Sequence, residues 1–193
     1  KVVAPLKPGK EPKAVASYRP ISLLSVPMKL LERLLLLRIS PVLESALSPD
    51  QAGFRKKRST CDQVLAITTF VENGFQRGLK TGAIFLDLTA AYDTVWHTGL
   101  LVNLSRVLPR WFVETVELLI SNRRFRVRLG DKVSSWRRQK NGLPQGSVLS
   151  PSLFNVYIND LPPTHSRKFI YADDICLGRH SGLELCATPG KTT

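Results

Sequence analysis

Two short apolar runs, "TGAIFLDL" (81–88) and "RKFIYADDICLG" (167–178), each carry acids among residues that otherwise read as strand. A carboxylate in such company is costly unless it is solvated, neutralised or coordinated. Asp87 and the adjacent Asp173 and Asp174 therefore belong at strand ends or in a hairpin turn. Two such strands, far apart in sequence, can lie side by side in one sheet and bring their acids together. Adjacent aspartates at a hairpin tip suit an ordinary turn, whose backbone N–H groups they accept from. They equally suit hard cations, which take oxygen ligands.

The acids stand in a basic chain. Across 193 residues, 28 Lys and Arg oppose 15 Asp and Glu, a formal charge of +13 and a pI near 10.1. That balance is the footprint of a polyanion binder, with phosphate backbones as the obvious partner; a polybasic membrane-surface binder and a merely basic soluble protein remain open. The leucine run from Leu34 to Leu37 is far too short to span a bilayer, which takes about 20 apolar residues. No signal peptide is visible. Cys61, Cys176 and Cys186 lack Cys/His ligand spacing, so reduced, mostly buried thiols and an intracellular setting are expected, nucleus or cytoplasm alike. His97, His165 and His180 read as structural.

Residues 1–20, rich in Pro and Lys, predict an extended basic arm or loops. "PMKLLERLLLLRISPVLESAL" (27–47) predicts a helix that Pro41 kinks or breaks. A basic connection, "SPDQAGFRKKRST", leads to a helix capped by Ser59 or Thr60. "TGAIFLDL" predicts a buried strand, followed by a helical stretch through Leu108 and another from Trp111 to Ile120. "RRFRVRLGDKVSSWRR" predicts a hairpin turning at Gly130-Asp131. A Gly/Pro loop then enters a helix capped near Ser147 or Ser150, and two strands meet at the acids. Without a regular βαβ repeat, the class is α+β, with a small antiparallel sheet bearing the acids and helices packed against it.

At this point the residues reach a resemblance. "FLDLTAAYD", "NGLPQGSVLSP" and "FIYADD", in that order, resemble the three palm motifs of reverse transcriptases. "YRPISLLSVPMKLLERLLLLRI" and "DQAGFRKKRSTCDQV" are similar to the finger motifs that precede them in non-LTR (LINE-type) retrotransposons. The match covers about residues 10 to 178, and five ordered blocks are far more specific than a lone YADD.

The resemblance implies an RNA-directed DNA polymerase with right-hand architecture: a fingers-like region over 1–80, a palm-like region over 81–178 and a divergent, disordered tail over 179–193. It implies that Asp87 and Asp173 ligate two Mg²⁺ ions, for which Mn²⁺ can substitute, and that Asp174 supports them. An RNA template, a DNA primer and dNTPs are the implied partners. Tyr92 would exclude a 2′-hydroxyl, although a core tyrosine anchoring the turn would look the same in sequence. Gln145 would lie beside the incoming nucleotide and template, and Arg19 and Lys29 would grip its triphosphate. Arg55, with Lys56, Lys57 and Arg58, would face template phosphates.

Arg124, Arg126 and Arg128 alternate with apolar residues. They would either track a nucleic-acid backbone or form the wet face of a hairpin. Asp93 reads as structural. Nineteen residues follow Asp174 and the first residue is Lys1, so a fragment without thumb or endonuclease is expected. A relic that binds nucleic acid without catalysis is the alternative, and an RNA-directed RNA polymerase a more distant one.

Overall fold

The computed structural model describes residues 1–181. It is a mixed α+β chain divided into two compact units, each built from separate stretches of sequence. Unit 1 comprises residues 1–47 and 90–160, and unit 2 comprises 48–89 together with 161–181. These units cut across the motif-based division at residue 80. Among the described residues no helix is long and apolar enough to cross a membrane.

In unit 1 the N-terminal arm is not simply loop. β1 (Val2–Val3) pairs antiparallel with β2 (Ile21–Ser22) and parallel with β5 (Val127–Leu129), while β5 pairs with β6 (Lys132–Val133). The expected hairpin forms with Gly130 and Asp131 at its tip. Its outer end continues as β4 (Arg124–Phe125) paired with β7 (Arg137–Arg138). α1 (Val26–Ala46) starts with Pro27 in its first turn, where a missing N–H costs nothing, and runs unbroken through Pro41. The break allowed for at Pro41 does not occur. Pro41 cannot donate to Leu37, and in the turn before it the Ser40 hydroxyl donates to the Leu36 carbonyl (2.6 Å).

The helical stretch expected through Leu108 is divided instead. α3 (Ala91–Thr94) is a single turn, and α4 (His97–Ser105) follows after extended backbone at Trp96. The interruption leaves the Val95 carbonyl free to accept from Gly142 N–H (2.8 Å). α5 (Arg110–Ile120) buries Phe112, Val116 and Ile120, a stripe at four-residue spacing. α4 packs against α5 on one side and against α6 (Ser150–Tyr157) on the other, with Leu100, Leu104, Leu153 and Phe154 all buried.

In unit 2, α2 (Thr60–Gln76) begins with a capping box: Ser59 Oγ accepts from Asp62 N–H, and the Asp62 carboxylate accepts from Ser59 N–H. Such caps contribute about 1 kcal/mol. The helix covers one face of a three-stranded antiparallel sheet, ordered β3 (Lys80–Asp87), β9 (Asp174–Ser181), β8 (Arg167–Tyr171). Phe70 of α2 meets Phe169 edge-on and stacks on His180, with ring centroids 5.6 and 3.9 Å apart.

Three expectations differ from the structure in this unit. β3 is an edge strand, not a buried one, and Ile84, Phe85 and Leu86 are exposed; a short apolar run does not by itself distinguish edge from centre. Cys61 is exposed on the first turn of α2, whereas Cys176 is buried as expected and Cys186 lies outside the described residues. Residues 179–181, read from sequence as tail, form the end of β9, and the rest of that segment also lies outside the described residues.

Candidate active site

In unit 2 the two acid-bearing runs do lie side by side. The β3–β9 register places Asp87 directly opposite Asp174, and Tyr171 of β8 opposite Asp174 on its other side. Opposed residues in an antiparallel pair point to the same face, with Cβ atoms about 5 Å apart. Ala172 and Asp173 form the two-residue turn between β8 and β9. The register therefore makes Asp174, rather than Asp173, the cross-strand neighbour of Asp87. Asp87 and Asp174 also line a cavity of about 270 Å³ beneath α2, shared with Thr60, Gln63, Phe85 and Tyr171.

Among the described residues no side-chain hydrogen bond or ion pair engages Asp87, Asp173 or Asp174, and no three His, Cys, Asp or Glu side chains gather into a ready-made metal cage. A bare carboxylate pair open to solvent still fits one cation class. Mg²⁺ keeps several waters and is held by one or two carboxylates plus substrate phosphates, not by an all-protein cage.

The turn bearing these acids is held from behind. Ala172 has φ +57°, the left-handed region that a non-glycine residue seldom occupies without support. Gln51, only 3% exposed, supplies that support. Ala172 N–H donates to Gln51 Oε1 (2.9 Å), and Gln51 Nε2 donates to the Ala172 carbonyl (3.2 Å). Gly53 N–H donates to the same Oε1 (2.8 Å). The segment around Gln51 runs alongside β8 in a parallel bridge, with Ala52 N–H donating to the Ile170 carbonyl (2.8 Å). Gly53 is required for this approach, since a Cβ there would sit 2.2 Å from the Ala172 nitrogen. Gln51 and Gly53 were not singled out in the sequence, although both fall within the finger-like block "DQAGFRKKRST".

The basic run that follows is partly occupied. Arg55 Nη1 donates to the carbonyls of Ser48 (2.7 Å) and Gln51 (3.0 Å), and Arg58 Nη1 donates to that of Pro49 (2.8 Å). Both guanidinium groups thus brace the loop that presents Gln51, while Lys56 and Lys57 are exposed.

In unit 1, "YRPIS", "AAYD" and "LPQGS" come together. Ser22 N–H donates to the Gln145 carbonyl (2.7 Å), and Leu143 N–H to that of Tyr92 (2.7 Å). Gly142 and Gly146 take φ values of +87° and +104°, which let this loop fold back on itself. The Tyr92 ring stacks on Phe154, with centroids 4.9 Å apart. His97 Nε2 lies 2.8 Å from the Gly142 carbonyl, a structural role as expected.

The start of α6 is capped by Ser147, not Ser150: its Oγ accepts from Leu149 and Ser150 N–H. Ser147 is fixed in turn by Glu32 of α1, 3% exposed, whose carboxylate accepts from Ser147 Oγ (2.8 Å) and Val148 N–H (2.7 Å). A lone acid inside "LLERLLLL" was the available signal for this contact.

A cleft of about 420 Å³ opens beside the loop, lined among others by Asp93, Arg123, Arg124, Arg138, Lys140 and Gln145. Burial holds the Arg123 guanidinium below its usual value, opposed by the charge of Glu32. Arg19 and Lys29 are exposed in the same unit. Arg124, Arg126 and Arg128 are exposed while Phe125 and Val127 are half-buried, and the Arg126 guanidinium lies 5.0 Å over the ring of exposed Trp136.

An α+β chain that sets opposed acids at the end of a three-stranded antiparallel sheet has the make-up of a polymerase fragment. Its backbone aligns with apo telomerase from Candida tropicalis, truncated from its C-terminal domain. The TM-score is 0.55 at 14% identity, over 84% of this chain and 41% of that one; this is a likeness of fold. Residues 7–185 match the reverse transcriptase (RNA-dependent DNA polymerase) family, and the chain belongs to it.

Among its relatives, a probable RNA-directed DNA polymerase from transposon BS of Drosophila melanogaster is 38% identical over 182 residues, 89% of this chain and 20% of that protein. The RNA-directed DNA polymerase from mobile element jockey of Drosophila funebris is 35% identical over 91% of this chain and 20% of its own length. The chain thus spans about a fifth of these relatives. The resemblance to transposon-encoded reverse transcriptases is borne out.

Proposed function

We propose that this chain carries the fingers-like (1–80) and palm-like (81–178) parts of an RNA-directed DNA polymerase. These would extend a DNA primer on an RNA template with dNTPs, as part of retrotransposition. The observation that carries the reading is the register opposing Asp87 to Asp174, with Asp173 in the adjoining turn. It brings together three acids drawn from two of the family-like motifs.

Asp87, Asp173 and Asp174 would hold two Mg²⁺ ions, or Mn²⁺ in their place, which supply positive charge at the transferring phosphate. The remaining work is positioning. Tyr92, its ring fixed against Phe154, would meet the sugar and reject a 2′-hydroxyl. Gln145, its backbone tied to Ser22, would contact the incoming nucleotide and the template base. Arg19 and Lys29 would neutralise the triphosphate. The exposed Arg124, Arg126 and Arg128, with Lys56, Arg55 and Arg58, would follow the nucleic-acid backbone. For Arg55 and Arg58 that role has to coexist with their bonds to the loop carbonyls.

The test is primer extension on an RNA template with Mg²⁺ and dNTPs, comparing the chain with Asp173→Asn. Extension by the unsubstituted chain and a loss of about a hundred- to a thousandfold in the variant are expected, the scale on which removing a key transition-state contact reduces catalysis. Retained RNA binding without extension by either would overturn the catalytic reading and favour a binding relic.

A further inference from the structure

The clamp on the acid-bearing turn has a consequence for the site itself. Ala172 immediately precedes Asp173 and Asp174, so its backbone angles set where both carboxylates point. Left-handed backbone at a non-glycine residue costs on the order of 1–3 kcal/mol and persists only where its surroundings impose it. Here the two-residue turn between β8 and β9 calls for positive φ at its first position, and one side chain holds it there. Gln51 meets the N–H and the carbonyl of Ala172 at once, through Oε1 at 2.9 Å and Nε2 at 3.2 Å.

A neutral side-chain amide offers an acceptor and a donor at that spacing, which an ionised carboxylate does not. The amide is itself immobilised. Its Oε1 also receives Gly53 N–H, and its own backbone carbonyl accepts from Arg55. Gly53 lies so close to Ala172 that no side chain could intervene. Gln51 has no hydrogen bond to any of the three acids, yet two of the three bonds made by its amide fix the hinge on which two of them turn.

We propose that Gln51 is a positioning residue of the catalytic site: by closing on both backbone groups of Ala172 it holds Asp173 and Asp174 in register with Asp87 for the metal ions. The inference rests on the reading of these acids as the metal-holding set, and its test separates the two. Residues that orient metal ligands without touching the metal typically change affinity about 10- to 100-fold when replaced.

The measurement is Mn²⁺ binding to the full chain, followed by the loss of the free-ion electron paramagnetic resonance signal. Amide hydrogen exchange at Ala172 is measured alongside it. Gln51→Met keeps the side-chain volume and removes all three amide bonds. It is expected to raise the Mn²⁺ dissociation constant about tenfold and to release the Ala172 N–H to fast exchange, with α2 and α6 amides still protected. Gln51→Asn keeps the amide chemistry but is one methylene too short to span both Ala172 groups, and should weaken binding in the same direction. It carries the test alone if the Met variant does not fold.

Unchanged Mn²⁺ affinity in a folded Gln51 variant overturns the proposal. Asp173→Asn serves as the control: if it too leaves Mn²⁺ binding intact, the metal-holding reading itself is lost. If only Asp173→Asn weakens binding, that reading stands and the role of Gln51 falls.

Discussion

The two loops that carry the family-like motifs are each secured by one buried polar side chain from far along the chain, and the two side chains differ in kind. In unit 2 a neutral amide, Gln51, holds the turn at Ala172. In unit 1 a carboxylate, Glu32, holds the "LPQGS" loop at Ser147 and Val148. The difference follows from what each loop presents. Ala172 offers one donor and one acceptor, which a neutral amide answers together and an ionised carboxylate does not. Ser147 and Val148 offer an O–H and an N–H, two donors that suit an acceptor-only group. Each holder is thus the chemical complement of its loop, and exchanging their chemistry should affect the two sites unequally.

The largest effect is expected from Glu32→Ala. It leaves Ser147 Oγ and Val148 N–H without their acceptor and removes the charge that offsets the burial of Arg123. Breaking a buried charged contact on one side costs about 3–5 kcal/mol, and urea unfolding reads it directly. A loss under about 1 kcal/mol, the range of an exposed pair, would show that the carboxylate is not what holds this loop.

A sharper form of the comparison exchanges amide for acid at both places. Gln51→Glu turns a carboxylate oxygen toward the Ala172 carbonyl, acceptor against acceptor, and should cost about 2–3 kcal/mol, the scale of a buried unsatisfied polar group. Glu32→Gln still accepts one of the two bonds and loses the other, since Ser147 Oγ already accepts from Leu149 and Ser150 N–H and cannot accept from the new amide as well. Its cost should be nearer 1 kcal/mol, that of one ordinary hydrogen bond. Equal losses in the two variants would remove the distinction between the loops.

These holders also mark the limit of what could be read from the sequence. The apolar runs ending in Asp87 and in Asp173-Asp174 were legible because strands with acids at their ends have few ways to fold. Their motif order was legible through the resemblance to reverse transcriptases. The Gly130-Asp131 hairpin and the Ser59 cap follow from local chemistry, which a short window of sequence contains. Gln51 and Glu32 were not legible as holders, because each acts across more than a hundred residues: 121 separate Gln51 from Ala172, and 115 separate Glu32 from Ser147. The exposure of β3 was missed because Ile84, Phe85 and Leu86 have the same composition in an edge strand as in a central one. Of the kink or break expected at Pro41 the break does not occur, since a helix of 21 residues tolerates one missing bond.

The smallest expected effect comes from a third acid, and it isolates what a partner contributes. Asp93 lies in the same unit as Glu32, on the wall of the cleft beside Gln145, and among the described residues its carboxylate has no hydrogen-bond or ion-pair partner. Partial burial alone raises its pKa above the usual aspartate value. For an acid whose folded-state pKa is raised, the folded state favours the protonated form. The stability this gives is complete below the unfolded value of about 3.9 and is lost as pH rises through the folded pKa. At neutral pH the ionised Asp93 therefore weighs against folding, and Asp93→Asn should raise the unfolding midpoint slightly. The gain should fade on acidification and vanish below about pH 3.9, where both versions are neutral. Urea midpoints of the two proteins at pH 7 and pH 3 test this. A gain of the same size at both values would trace it to packing instead of charge. A loss at pH 7 would show that a cation in the cleft already compensates Asp93, making it a partnered carboxylate of the same kind as Glu32.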